Sequence, residues 1–93
     1  MPSKTVAVVT GASQGIGRAT ALSLARDFSV IVLVARNEKK LEKSAAEIRS
    51  LDAEPMICAL DLPDPQSAEI MVKSVLNRFG RIDALVNIAG AVP

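Results

Sequence analysis

Thr10-Gly11-Ala12-Ser13-Gln14-Gly15-Ile16-Gly17 follows directly on the apolar run Val6-Ala7-Val8-Val9 and precedes a segment with helical spacing, so its three glycines fall at a strand-to-helix turn. Glycines spaced G-x-x-x-G-x-G let the chain turn tightly, let backbone N–H groups approach a pyrophosphate and let the helix pack close to its strand. The start of such a helix adds unpaired donors and a partial positive charge. A loop rich in glycine and serine is by itself only a turn, and the flanking sequence decides its meaning. Helical steps from Gly17 reach Ala21, Leu24 and Phe28, a face that is small at its start and larger toward its end. Val30-Ile31-Val32-Leu33-Val34-Ala35 then reads as a strand covered on both faces. Strand, glycine corner, helix and strand make a βαβ unit of about 30 residues, the setting a dinucleotide-binding fingerprint requires.

The same alternation continues toward the C-terminus. Asn37 can cap a helix whose Leu41, Ala45 and Ile48 lie on one face, while Lys39, Lys40, Glu42, Lys43, Glu47 and Arg49 form a solvated face. Pro55 opens a third apolar run, Met56-Ile57-Cys58-Ala59-Leu60, which ends in Asp61-Leu62. Asp64 is placed to cap the next helix, with Pro65 at its first position, where a missing N–H costs nothing. That helix carries Ala68, Val72, Val75 and Phe79 on one face and stops at Gly80, a left-handed cap. Residues 82–87 form a fourth strand.

Strands alternating with helices through right-handed crossovers predict an α/β fold. The expected architecture is a Rossmann-like, doubly wound parallel sheet, β-α-β-α-β-α-β, with strand order 3-2-1-4 and helices on both faces. Ala84-Leu85-Val86 is apolar on both faces, which suits a strand with a further neighbour. Residues 1–93 therefore read as one partial NAD(P)-binding domain that stops after its fourth strand.

Composition excludes several functions. The formal net charge is +1, with acids and bases interspersed, so the chain has no electrostatic footprint for nucleic acid or an anionic membrane. Its two aromatics, both Phe, offer no stacking platform for bases. The single Cys58 lies in an apolar run and reads as a small buried hydrophobe, so no disulfide is expected and the composition suits a reducing cytoplasm. No apolar stretch reaches membrane-spanning length, and Thr10-Gly11 cuts the first one short of a signal-peptide core. Histidine is absent, and no metal site is expected.

Chemistry concentrates at the strand ends. In a fold of this kind the ribose is read at the end of the second strand, by an acid for a 2′-hydroxyl or a base for a 2′-phosphate. Here the place reads Val34-Ala35-Arg36-Asn37, which has no carboxylate, while Arg36 offers a planar fork suited to phosphate. A charge-assisted contact of about 1.5–3 kcal/mol corresponds to roughly ten- to a hundredfold in affinity. NADP(H) is therefore expected over NAD(H). The alternative is a solvated Arg36 at a helix start, where the dipole disfavours its charge. Asp61 at the end of the third strand could accept from an adenine amino group or open the turn before Pro63. Asn87 with Ala89-Gly90 ends the fourth strand at the same rim, again as ligand contact or turn. Four consecutive strand ends with suitable groups point to one shared ligand.

With Thr10–Gly17, Arg36, Asp61-Leu62 and Asn87-Ile88-Ala89-Gly90, the chain resembles the short-chain dehydrogenase/reductase family across its whole length, and matches the N-terminal half of that family's domain. The resemblance implies an oxidoreductase that moves a hydride reversibly between NADP(H) and a small or acyl-carrier-linked ketone or its alcohol, in a homo-oligomeric parent. Carried over by position, it implies that Ser13, Gln14 and Ile16, with Gly11, Gly15 and Gly17, line the phosphates and ribose. Arg36 meets the 2′-phosphate, Asp61 and Leu62 the adenine, and Asn87, Ala89 and Gly90 the inner ribose. NADP(H)-preferring members often carry a base where this chain has Gln14, and the family usually has a second Asn where it has Ile88. The glycine usual near Phe28-Ser29 is also missing. The family's catalytic Ser, Tyr and Lys have no counterparts in these residues, so no catalytic residue is assigned and the 93-residue chain alone is expected to be inactive. The rival is a non-catalytic dinucleotide-binding module or truncated regulatory chain. A methyltransferase using S-adenosylmethionine is disfavoured, because an acid rather than Arg36 would suit its ribose.

Overall fold

A computed structural model describes residues 4–60 and 64–88. Val6–Thr10 (β1), Val30–Ala35 (β2), Glu54–Ala59 (β3) and Ala84–Asn87 (β4) form one sheet in the order β3-β2-β1-β4, with every pairing parallel. Gly15–Leu24 (α1), Glu38–Ser50 (α2) and Pro65–Phe79 (α3) are the crossovers. The expected topology and strand order are both present.

β1 lies between two neighbours and all five of its residues are buried, as an unbroken apolar run demands. Strand side chains alternate between faces, so the core falls into two layers. Ala7, Val9, Ile31 and Leu33 meet α1 and α2 through Ala21, Ala25, Leu41, Ala45 and Ile48. Val6, Val8, Val30, Val32, Val34 and Cys58 meet α3 through Met71 and Val75. Cys58 is buried and desolvation pushes its thiol pKa up, in keeping with a packing role.

The structure corrects two sequence expectations. Val72 was expected on the packed face of α3, but Met71 is 3% exposed there and Val72 is 37% exposed. Met71 stands one turn before Val75, whereas Val72 is rotated by about 100° onto the flank. The fourth strand begins at Ala84 rather than residue 82. Val6 N–H donates to the Asp83 carboxylate at 2.7 Å while Asp83 N–H donates to Val6 O at 2.8 Å, so a side chain takes one place in the ladder. Arg81 and the Val6 N–H hold the Asp83 carboxyl pKa below its usual value. Leu85 is 59% exposed on β4, whose outer edge has no neighbour among the described residues. No helix among the described residues is long and apolar enough to cross a membrane, and no group of acids or cysteines there could hold a metal ion.

Candidate functional site

Parallel pairing brings the C-terminal ends of all four strands to one rim. Above β1 the chain turns through Gly11 at φ 66 and Gly15 at φ 60, left-handed values that favour glycine. Ala12 pins this turn from both sides. Its N–H donates to Val34 O at the end of β2 at 3.2 Å, and its carbonyl accepts from the Ser44 hydroxyl of α2 at 3.1 Å. Ser44 is buried, and nothing in the sequence reading marked it; the available signal was a hydroxyl three residues after Leu41 and beside Ala45, on a face otherwise apolar.

Gly17 explains how closely the turn folds over its helix. A Cβ at this position would lie 1.8 Å from Gly11 O and 2.6 Å from Gly11 C, backbone atoms that cannot move aside cheaply. The expected close approach is real, and the nearest atoms approached are those of the turn, Gly11 and Ala12. Gly15 is the opposite case, since a Cβ there would have nothing within 4 Å. The two glycines therefore do different work: one closes the corner and the other leaves space beside it.

The first turn of α1 is left open in a second sense. Gln14 occupies the N-cap with extended backbone, but its side chain makes no bond to the helix N–H groups, and no acid stands in the first turn. α2 and α3 are capped in the ordinary way, Asn37 accepting from Lys40 N–H at 3.1 Å and Asp64 from Gln66 N–H at 2.9 Å. Ile16 is 76% exposed at the mouth of the corner, an apolar side chain with no cover among the described residues. Ser13 is half-buried.

Arg36 stands exposed just past β2, with no hydrogen bond or ion pair to another described residue; the neighbouring Asn37 oxygen is occupied by the α2 cap. At the end of β4, the Thr10 hydroxyl donates to Asn87 Oδ1 at 2.8 Å and accepts from Ile88 N–H at 2.8 Å. This clamp holds the Asn87 carbonyl toward β1, an arrangement the sequence reading missed because it joins residues 77 positions apart. The structure thus assembles Gly11, Ser13, Gln14, Gly15, Ile16, Gly17, Arg36 and Asn87 along one rim. Asp61, Leu62, Ala89 and Gly90 lie outside the described residues.

A shallow groove of about 500 Å³ between α1 and α2, lined by Leu22, Ser23, Arg26, Glu47, Ser50 and Leu51, opens near the C-terminal ends of these helices and shares no residue with the corner. Arg18 and Glu47 form an exposed ion pair between the same two helices, a contact of small worth in water.

Comparison with known proteins agrees with this geometry. The chain is 39% identical over 85 residues to the 3-oxoacyl-acyl-carrier-protein reductase FabG of Staphylococcus aureus, covering 90% of this chain and 35% of the relative. L-sorbose reductase of Gluconobacter frateurii, solved with NADPH and L-sorbose, superposes with a TM-score of 0.87 at 39% identity, over 95% of this chain and 34% of the reductase. An NAD⁺-bound xylitol dehydrogenase gives a TM-score of 0.83 at 37% identity, over 89% of this chain and 32% of the dehydrogenase. The chain spans about a third of the length of the curated relatives it matches. The model of the short chain dehydrogenase family matches residues 5–93. With that match, the sheet order and the glycine corner in hand, the chain belongs to the short-chain dehydrogenase family of oxidoreductases.

Proposed function

We propose that this chain is the dinucleotide-binding part of an NADP(H)-dependent oxidoreductase acting on a small carbonyl compound or its alcohol. The observation that carries the reading is the start of α1, an uncapped helix N-terminus with no acid in its first turn, beside open space at Gly15. A diphosphate fits there, because the free N–H groups of the first turn and the positive end of the helix favour an anion that the chain does not supply itself. Arg36, exposed past β2 and without an ion pair among the described residues, is the group that distinguishes a 2′-phosphate from a 2′-hydroxyl. Exposed Ile16 covers the ribose side. Asn87, its carbonyl clamped by Thr10, presents its amide nitrogen toward the inner ribose. Asp61 and Leu62 meet the adenine, and Ala89 and Gly90 continue the inner wall.

When bound, the nicotinamide supplies a hydride to a carbonyl carbon or takes one from an alcohol. This chain's residues hold and orient that group within a homo-oligomeric parent, and none of them is assigned to transfer of the accompanying proton. Relatives named for a ketose and for 3-oxoacyl chains support a ketone substrate without choosing between them. The alternative is a module that binds the dinucleotide and transfers nothing.

Because solved relatives bind both NADPH and NAD⁺, the β2 end supplies the decisive test. Ala35→Asp combined with Arg36→Ile should move preference from NADP⁺ toward NAD⁺ by roughly ten- to a hundredfold, the size of one charge-assisted contact. Calorimetric titration of both dinucleotides measures it, and an unchanged ratio would remove Arg36 from the site. Following NADPH absorbance with a panel of ketones separates the readings, because substrate-dependent oxidation by the 93-residue chain would overturn the module and require a proton donor among these residues.

A further inference from the structure

The side chain of Lys40 crosses from α2 to the glycine corner, where its Nζ donates to Gln14 Oε1 at 2.9 Å. Lys40 is the third residue of α2 and its N–H is held by the Asn37 cap. A lysine in a first turn opposes the helix dipole, so its position requires some other reason. Helical side chains lean toward the N-terminus of their own helix, which carries this one back to the rim where β1 and β2 end. Its partner there is a neutral amide. Lys40 forms no ion pair among the described residues, and of the cations there without one, Arg26, Arg36, Lys39, Lys40, Lys43 and Arg49, it is Lys40 whose side chain is hydrogen-bonded at the corner. Gln14 therefore holds the ammonium in place without cancelling its charge, and two of its three N–H donors remain for another acceptor.

We propose that Lys40 is a specificity-determining residue, the second cation for the 2′-phosphate, delivered by α2 to the place beside position 14 and acting together with Arg36. The inference rests on the dinucleotide reading above and adds a residue from a different element. Arg36 supplies a planar fork from the end of β2, and Lys40 a compact charge from one turn into α2, so the phosphate is held from two directions. Gln14 is a positioning residue in this arrangement, with its amide oxygen oriented by the ammonium.

The test is calorimetric titration of the chain with NADP⁺, NAD⁺, 2′,5′-ADP and 5′-AMP. Lys40→Met keeps the aliphatic stem and removes the charge. It should lower the NADP⁺ to NAD⁺ affinity ratio, and the 2′,5′-ADP to 5′-AMP ratio, by about tenfold, the lower end expected for one charge-assisted contact. Lys40→Arg should restore most of both ratios, and the NADP⁺ preference of the unaltered chain should fall as salt rises. A merely structural role for Lys40 would weaken all four ligands together, and that result would overturn the inference. Unchanged ratios in Lys40→Met, with a collapse in Arg36→Met, would also overturn it while leaving the dinucleotide reading intact. Failure of the unaltered chain to prefer NADP⁺ would overturn both.

Discussion

α1 and α2 begin at the same rim, follow adjacent parallel strands and pack on the same face of the sheet, yet their first turns are built in opposite ways. α2 satisfies itself, with the Asn37 oxygen on a backbone N–H and Glu38 at the positive end of the dipole. α1 has neither a side-chain cap nor an acid, and its turn is shaped by Gly11, Gly15 and Gly17. A helix start that supplies its own oxygen has no need of an outside anion, and one that withholds it keeps its donors available. The difference between the two corners is thus chemical rather than architectural.

Three experiments can break or sharpen this contrast, and the largest effect is expected at Gly17. Gly17→Ala places a Cβ 1.8 Å from the Gly11 carbonyl, which Val34 and Ser44 hold through Ala12. Opening the turn should cost about 3 kcal/mol, the upper part of the range for overpacking, and should abolish dinucleotide binding as well. Urea denaturation reads the stability. A variant as stable as the parent would mean that the turn is loose and its tight geometry incidental.

Gly15→Ala should separate binding from folding. Its Cβ meets nothing within 4 Å, but its φ of 60 is a strained value for alanine. Stability should fall by about 1–2 kcal/mol from that strain alone. Dinucleotide affinity should fall much further, because the added methyl enters the space reserved for the diphosphate. Thermal melts and calorimetric titration on the same preparation check both, and undiminished affinity would remove the phosphate from this corner.

The smallest effects come from exchanging the two caps. Gln14→Asp gives α1 an internal oxygen in a backbone conformation already extended, at φ −163 and ψ 170. It should stabilise the chain by about 0.5–1 kcal/mol while weakening dinucleotide binding, since the new carboxylate competes for the same N–H groups. The reciprocal Asn37→Ala should destabilise by about 1 kcal/mol. If Gln14→Asp raises dinucleotide affinity, the open start of α1 is not the anion site and the contrast fails.

The two helix starts also show how unequally the molecule can be read from its sequence. Asn37, Asp64, Pro65 and Gly80 act where their residue types suggest, because capping is decided within one turn of chain. Val72 was misplaced because an apolar residue on either flank of a helix fits the same periodicity, and only the direction of the sheet chooses Met71. The glycines were recognisable as a corner, but whether Gly17 presses on the sheet or on Gly11 depended on how far the turn folds back. Lys39, Lys40 and Lys43 all read as solvated charges, and only the packing of α2 beside α1 singled out Lys40 at Gln14.

By itself the sequence determined the order of strands and helices, the two-sided burial of β2, the strand order and the glycine corner. These follow from local periodicity, from backbone preferences and from the handedness of crossovers, regularities that hold for any chain with this alternation and do not depend on particular side-chain contacts. Only the tertiary structure decided that Ser44 fastens Ala12, that Thr10 orients Asn87 and that Lys40 reaches Gln14. Each of those contacts joins residues between 26 and 77 positions apart. A hydrogen bond needs its donor and acceptor within a few tenths of an ångström of the right separation. Pairing strands in a particular register sets such distances, and no pattern of residue types along the chain encodes them.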